Sequence, residues 1–247
     1  ASDLSVTSAR TIEALIIKLL PFHPEWSASW LATLVKERGQ VHVYRLDMML
    51  ARRDVERIAQ AVMPILQSWA VREREHQLYG FAAALGKRIT HFPGLLDLLK
   101  TVIRTTANAW LASNLLSLIK RHDFARFHRL ALDLLQQDAS WITVHDVYQH
   151  LHQRAQHLLT PYLGQTAFKG RFATGKTRYI LPIDRGFYRW IPKQQAIFAG
   201  VLGQVTADNE RDVPALLFVI HQLAGLMMIP PTRLIELASS EKKMVRD

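Results

Sequence analysis

Apolar residues recur along this chain at the i, i+3, i+4, i+7 spacing that gives an α-helix one apolar face, and the stripes come in pairs. Between Ser8 and Leu20 the positions Ile12, Leu15, Ile16 and Leu19 share a face, and Pro21 ends the run. A second helix is expected from Pro24 and Glu25, where proline suits the first turn, through Trp26, Trp30, Leu31 and Leu34 to a stop at Gly39. The two helices make a hairpin. After a shorter apolar stretch, Val41 to Leu50, Asp54 is placed to cap a helix carrying Val55, Ile58, Ala59, Val62, Ile65 and Leu66. Pro64 falls inside that stripe and predicts a kink, because an internal proline costs a helix about 3 kcal/mol.

The pattern continues with helices expected over Arg72 to Arg88, Phe92 to Ile103, Thr105 to Lys120, Asp123 to Leu135 and Ser140 to Leu159. The second helices of successive pairs start near Arg72, Thr105 and Ser140, roughly 33 to 36 residues apart, which is the length of one two-helix repeat. Alternation of the strand type is confined to 166–190. The expected fold is all-α, a right-handed α-solenoid of stacked helix pairs with one irregular basic loop or small hairpin inserted. Its expected division is a helical repeat solenoid over 1–163, the insertion over 164–193, and a continuation of the solenoid, cut short, over 194–247.

Two stretches, Met63-Pro64-Ile65-Leu66 followed by Arg72, and Phe92-Pro93 with Leu95, Leu96, Leu98 and Leu99 followed by Arg104, resemble units of the HEAT-repeat family. In that family a first helix, often kinked by proline, precedes a second that opens with an acidic residue and Val-Arg. The tail is similar: Pro214 to Leu226, then Leu234 to Ala238, then Glu241 and Met244-Val245-Arg246-Asp247. The resemblance covers 1–163 and 192–247 and extends to armadillo-type repeats. It implies a curved scaffold or binding platform and no common catalytic residue.

Composition sharpens the picture. With 247 residues, 49% of them hydrophobic, the chain can bury an extended core. It has no cysteine, which excludes disulfides and thiolate metal sites and makes a reducing, cytoplasmic setting the simpler expectation. No apolar run approaches the ~20 residues that cross a bilayer, so no membrane partner is expected. The missing initiator Met and the ending at Arg246 and Asp247 suggest a piece of a larger chain or complex.

The charge is unevenly placed. Between 76 and 209 there are 16 Lys and Arg against 7 Asp and no Glu, which leaves +9 of the chain's net +10. Charge concentrated in this way suits a nucleic acid or an acidic protein surface. The segment 164–193 stands out. It carries Lys169, Arg171, Lys176, Arg178, Arg185, Arg189 and Lys193 against the single acid Asp184, interleaved with Phe168, Phe172, Tyr179, Phe187, Tyr188 and Trp190. Cations for phosphates with rings for bases are the combination that holds single-stranded nucleic acid. The alternative is that the rings form the loop's own small core, with Phe168 to Phe172 paired to Thr177 to Leu181 as a hairpin. Trp190 is the tryptophan singled out for function, while Trp26, Trp30, Trp69, Trp110 and Trp141 are expected in the core or in packing between repeats. A second candidate group of cations is Lys120, Arg121, Arg126 and Arg129.

Motifs for chemistry do not assemble. Gly170-Arg171-Phe172-Ala173-Thr174-Gly175-Lys176-Thr177 matches the phosphate-loop pattern, whose backbone N–H groups cradle phosphates between a buried strand and a helix. Neither flank fits, since Pro161 to Lys169 is no buried strand and Pro182 interrupts a following helix. His145, His150, His152 and His157 lack the i, i+4 spacing of helical metal ligands. His122-Asp123 and His145-Asp146 match the His-Asp pair of metal-dependent phosphohydrolases in two letters only, and Asp123 suits a helix cap. The expectation is therefore a binding platform without catalytic residues, cofactor or metal. Two alternatives stand beside it: a HEAT-like alkylpurine DNA glycosylase, and a protein-protein scaffold within a larger assembly.

Overall fold

Caps and prolines set the helix boundaries. Pro24 opens α2 (Pro24–Arg38), and Gly39, left-handed at φ 78°, closes it with its N–H on the Val35 carbonyl. Asp54 caps α4 (Val55–Trp69) by accepting from the Arg57 N–H at 3.2 Å. Asn108 caps α7 (Ala109–His122) through the Leu111 N–H at 3.1 Å. The remaining helices are α1 (Val6–Leu19), α3 (Leu46–Met49), α5 (Glu75–Ala84), α6 (Leu95–Thr105), α8 (Phe124–Gln137), α9 (His145–Arg154), α10 (Thr160–Leu163) and α11 (Pro192–Asp208). The computed structural model describes residues 6–39, 41–43, 46–50, 54–71, 73–175, 179–183, 185–208 and 221–222. Among them there is no strand, so the fold is all-α; nor is any helix long and apolar enough to cross a membrane.

The chain forms two compact units, Ala1–Leu132 and Asp133–Asp247, with the division inside α8. In the first, α1 packs on α2, α2 on α4, α4 on α5 and α6, and α7 on α5 and α6. Leu20, Leu31, Leu46, Leu50, Ile58, Leu66 and Trp69 are buried together with Leu78 and Phe81 of α5. The Gln77 side chain acts as a strand partner would: it accepts from the Val41 N–H at 2.9 Å and donates to the Val41 carbonyl at 2.8 Å. That pair fixes Val41 against α5. In the second unit, α10 packs on α11.

Several expectations change in detail. The second helices begin at Glu75, Ala109 and His145, each three to five residues later than the stripes suggest. The long helix expected from Ser140 is instead broken into a 3-10 turn (Ala139–Thr143), α9, a second 3-10 turn (Gln156–Leu158) and α10. Asp138 caps the first of these turns, and Pro161 opens α10. α4 runs unbroken through Pro64. Pro64 and Gln60, whose carbonyl loses its intrahelical partner, are both exposed, so water can take the place of the missing N–H. Trp69 and Trp141 are buried as expected, whereas Trp26, Trp30 and Trp110 are 47%, 44% and 59% exposed. The tail stretches likened to HEAT units lie outside the described residues, apart from His221 and Gln222.

Candidate functional site

The loop between α10 and α11 is held from inside. Phe168, Phe172, Leu181, Ile183, Phe187 and Trp190 are all buried. Phe172 meets Trp141 edge-on at 4.8 Å between centroids, and Trp190 meets Phe187 at 5.0 Å and Phe198 of α11 at 5.3 Å. Edge-to-face pairs of this kind are worth about 0.5 to 1.5 kcal/mol each beyond the area they bury. Phe168, Phe172, Phe187 and Trp190 are thus the loop's own core. No strand pairing forms among the described residues, although the Tyr179 N–H reaches the Thr166 carbonyl at 2.7 Å.

Polar anchors fix the loop at several points. Asp138 accepts from the Ser140 N–H at 2.9 Å and the Ser140 hydroxyl at 2.7 Å on one oxygen, and from the Arg171 N–H at 2.9 Å on the other. The Ser140 oxygen in turn accepts from the Phe172 N–H at 3.0 Å. Burial pushes the Asp138 carboxyl up, but the bonds from Arg171 and Ser140, with the Arg171 charge, outweigh it and hold the group below the usual carboxylate value. Tyr179 donates to the Thr143 carbonyl at 3.3 Å; burial, reinforced by Tyr148, pushes its hydroxyl up to about 12, so it stays a donor. Gln222 donates to the carbonyls of Leu181 and Ile183 at 2.9 and 2.8 Å.

His152 anchors the far end. The Trp190 indole N–H donates to His152 Nδ1 at 3.0 Å, so that nitrogen carries no proton, and Nε2–H donates to the Arg185 carbonyl at 2.9 Å. Both ring nitrogens of a neutral imidazole are thereby satisfied. The close approach needs Gly186, at φ 83°, where a Cβ would stand 2.8 Å from His152 Nε2.

The phosphate-loop match has a structural explanation. Gly170 sits at φ 141°, and a Cβ there would come within 2.6 Å of both Asp138 Cγ and Ser140 Oγ. The N–H groups of Arg171 and Phe172, which a phosphate loop would turn toward its ligand, are aimed at Asp138 and Ser140. A carboxylate of the chain itself occupies the anion's role. Among the described residues after the match, 179–183 is irregular.

What the loop turns outward is charge. Lys169, Arg171, Arg185, Arg189 and Lys193 are exposed. Lys176 and Arg178 lie outside the described residues. Trp190 is not an open stacking platform: only 4% of it is exposed, its faces are packed and its N–H is engaged. Of the second group of cations, Arg121 and Arg129 are exposed. Arg126 is bound at 3.3 Å to both Asp97 and Asp123, and Lys120 lies 5.5 Å from the centre of the Phe127 ring. Asp123 caps α8 through the Arg126 N–H at 2.9 Å. Its neighbour His122 is lowered below the usual histidine value by burial and by Arg121. Among the described residues no three His, Asp or Glu side chains gather as metal ligands would.

The aromatic group that sequence reasoning missed is on the first unit. Trp110 stacks on His76 at 5.9 Å and meets Tyr79 edge-on at 5.9 Å, with Tyr79 bonded to Asn114 at 3.3 Å. Its position was readable: Trp110, Asn114, Ser117 and Arg121 form one i, i+4, i+7, i+11 row opposite the buried Ala112 and Ile119.

Compared with protein-family models, curated proteins and solved structures, the chain matches none.

Proposed function

We propose that this protein is a non-catalytic helical platform, built on HEAT-like pairs, that binds a polyanion, and nucleic acid before other polyanions. The supporting observation is the inside-out division of the loop between α10 and α11. Phe168, Phe172, Phe187, Trp190, the Tyr179 hydroxyl and several backbone N–H groups are committed inward, while Lys169, Arg171, Arg185, Arg189 and Lys193 are exposed. A loop anchored this firmly presents its cations with little ordering left to do on binding, which favours affinity. With Phe168, Phe172, Phe187 and Trp190 buried, none of these four rings is open to base stacking, so the expected contacts are to phosphates and carry little sequence or strand preference.

Fluorescence anisotropy with a labelled duplex and a labelled single strand tests this. Affinity for both is expected to fall steeply with salt, each phosphate contact adding about 0.7 to 0.9 to the log-log slope. Changing Lys169, Arg171, Arg185 and Arg189 together to Glu is expected to weaken binding by about 10² or more while the helix signal is kept. Unchanged binding in that variant would reject the loop and direct attention to Arg121 and Arg129. No binding by the parent protein at low salt would reject nucleic acid and favour an acidic protein partner. Release of a modified base from duplex DNA would replace the platform with a glycosylase.

A further inference from the structure

A cavity of about 330 Å³ opens beside α1 on the first unit, and what it binds is independent of the function proposed for the loop. That volume is at the lower end of small-molecule sites. The α1 residues that line it, Arg10, Glu13, Ala14, Ile17 and Lys18, fall at i, i+3, i+4, i+7 and i+8, a single face of the helix. At 1.5 Å of rise per residue, Arg10 and Lys18 flank Glu13 at about 4.5 and 7.5 Å along the axis. His42 and Met49 complete the wall, and His42 is placed there by the Gln77 clamp on its neighbour Val41.

The charges of this cavity are not matched among themselves. The Glu13 side chain is 8% exposed, yet its contacts are long: the His42 N–H at 3.4 Å, His42 Nδ1 at 3.6 Å and Arg38 Nη1 at 3.9 Å. Charge-assisted bonds to a carboxylate ordinarily close to about 2.7 to 2.9 Å. Neither Arg10 nor Lys18 forms an ion pair with a described residue. A simple anion entering here meets the Glu13 carboxylate, and a simple cation meets Arg10 and Lys18. Only a molecule carrying both charges a few bonds apart satisfies every group.

We propose that the cavity binds a small amino-acid-like zwitterion, its ammonium on Glu13, its anionic group on Arg10 and Lys18, and its side chain against Ile17 and Met49. The acid gives the ammonium a short, largely desolvated partner in place of the long contacts. The two cations take the anionic oxygens at the mouth.

The test is two-dimensional NMR of the full chain titrated with leucine, methionine and glutamate. Alongside run two truncated probes: 4-methylpentanoate, which is leucine without its amine, and 3-methylbutylamine, which is leucine without its carboxylate. At least one amino acid is expected to give saturable shifts at the α1 and His42 amides. For leucine, each truncated probe is expected to bind at least about tenfold more weakly. Glu13→Gln is expected to bring leucine down to the level of 4-methylpentanoate. Arg10→Ala with Lys18→Ala, both at exposed positions, is expected to bring it down to the level of the amine while leaving the fold intact. No saturable shift with any of the three amino acids at about 10 mM, well above a millimolar affinity, would overturn the proposal. So would a truncated probe that binds as tightly as leucine, which would make this a plain anion or cation site.

Discussion

Removing the Asp138 carboxylate tests whether the loop is held as described. In Asp138→Ala the first 3-10 turn of the second unit loses its cap, worth about 1 kcal/mol. The Arg171 N–H loses its acceptor too, but Arg171 is exposed, so water can replace the carboxylate at little cost. Ser140 cannot be rescued in that way, because it is 0% exposed and its hydroxyl then has no acceptor. A buried donor left unmet costs about 1 to 3 kcal/mol. The expected loss is therefore about 2 to 4 kcal/mol. With a urea m-value of about 2 kcal/mol/M the midpoint should move down by roughly 1 to 2 M at unchanged slope, read by circular dichroism and tryptophan emission. Asp138→Asn should fall in between, since its one carbonyl oxygen can serve Ser140 or Arg171 but its amide must face the other donor. In a double-mutant cycle with Ser140→Ala, a coupling of at least about 0.5 kcal/mol is expected. A loss below about 0.5 kcal/mol in Asp138→Ala, or strict additivity with Ser140→Ala, would refute the anchoring argument.

The same carboxylate predicts a pH dependence: its folded value is held below its ordinary one, so its stabilisation is fully present above the unfolded value of about 3.9 and is lost as pH falls through the lower folded value. Acid titrations of stability should show this slope in the parent protein and a shallower one in Asp138→Ala; equal slopes would deny it. Trp190→Phe should keep most of the ring packing but leave His152 Nδ1 without its donor, a loss of about 1 to 3 kcal/mol seen in thermal unfolding, and a neutral result would contradict the role given to that bond. Magnesium-dependent ATP or GTP hydrolysis should be absent, because Asp138 already takes the Arg171 N–H that a phosphate would need; turnover lost in Lys176→Ala would overturn that reading.

How far the fold was legible depends on how local its causes are. Pro24, Gly39 and the Asp54 cap act within one helix, and each stands in the structure where the sequence put it, whereas the first stripe is turned: Leu15 is exposed and Ile16, Ile17 and Leu20 are buried. Boundaries set by a competing local signal were misplaced: Asn108, not Thr105, caps α7, and the Asp138 cap with Pro161 divides a stretch whose stripe reads as one helix. The tryptophans were misjudged by type. Trp26 and Trp30 share a row with Thr33 and Glu37, and Trp110 with Asn114 and Arg121, so counting the register exposes rings that hydrophobicity alone sends inward. Nothing local encodes the anchors of the loop. The partners Asp138 and Arg171, and Trp190 and His152, are 33 and 38 residues apart, and no periodicity links them.

The loop also shows why a letter match to a phosphate site and a cation-rich surface can occur together without being one site. Glycine at 170 is required by the close approach to Asp138 and Ser140, a constraint internal to the second unit. Once those two residues take the N–H groups of Arg171 and Phe172, neither of these donors is left for a phosphate. The side chains of Lys169, Arg171, Arg185 and Arg189, by contrast, are long, exposed and spread along the loop. Spread-out cations suit a ligand whose charges are themselves spread out, and that consideration favours a polymer of phosphates over a single nucleotide.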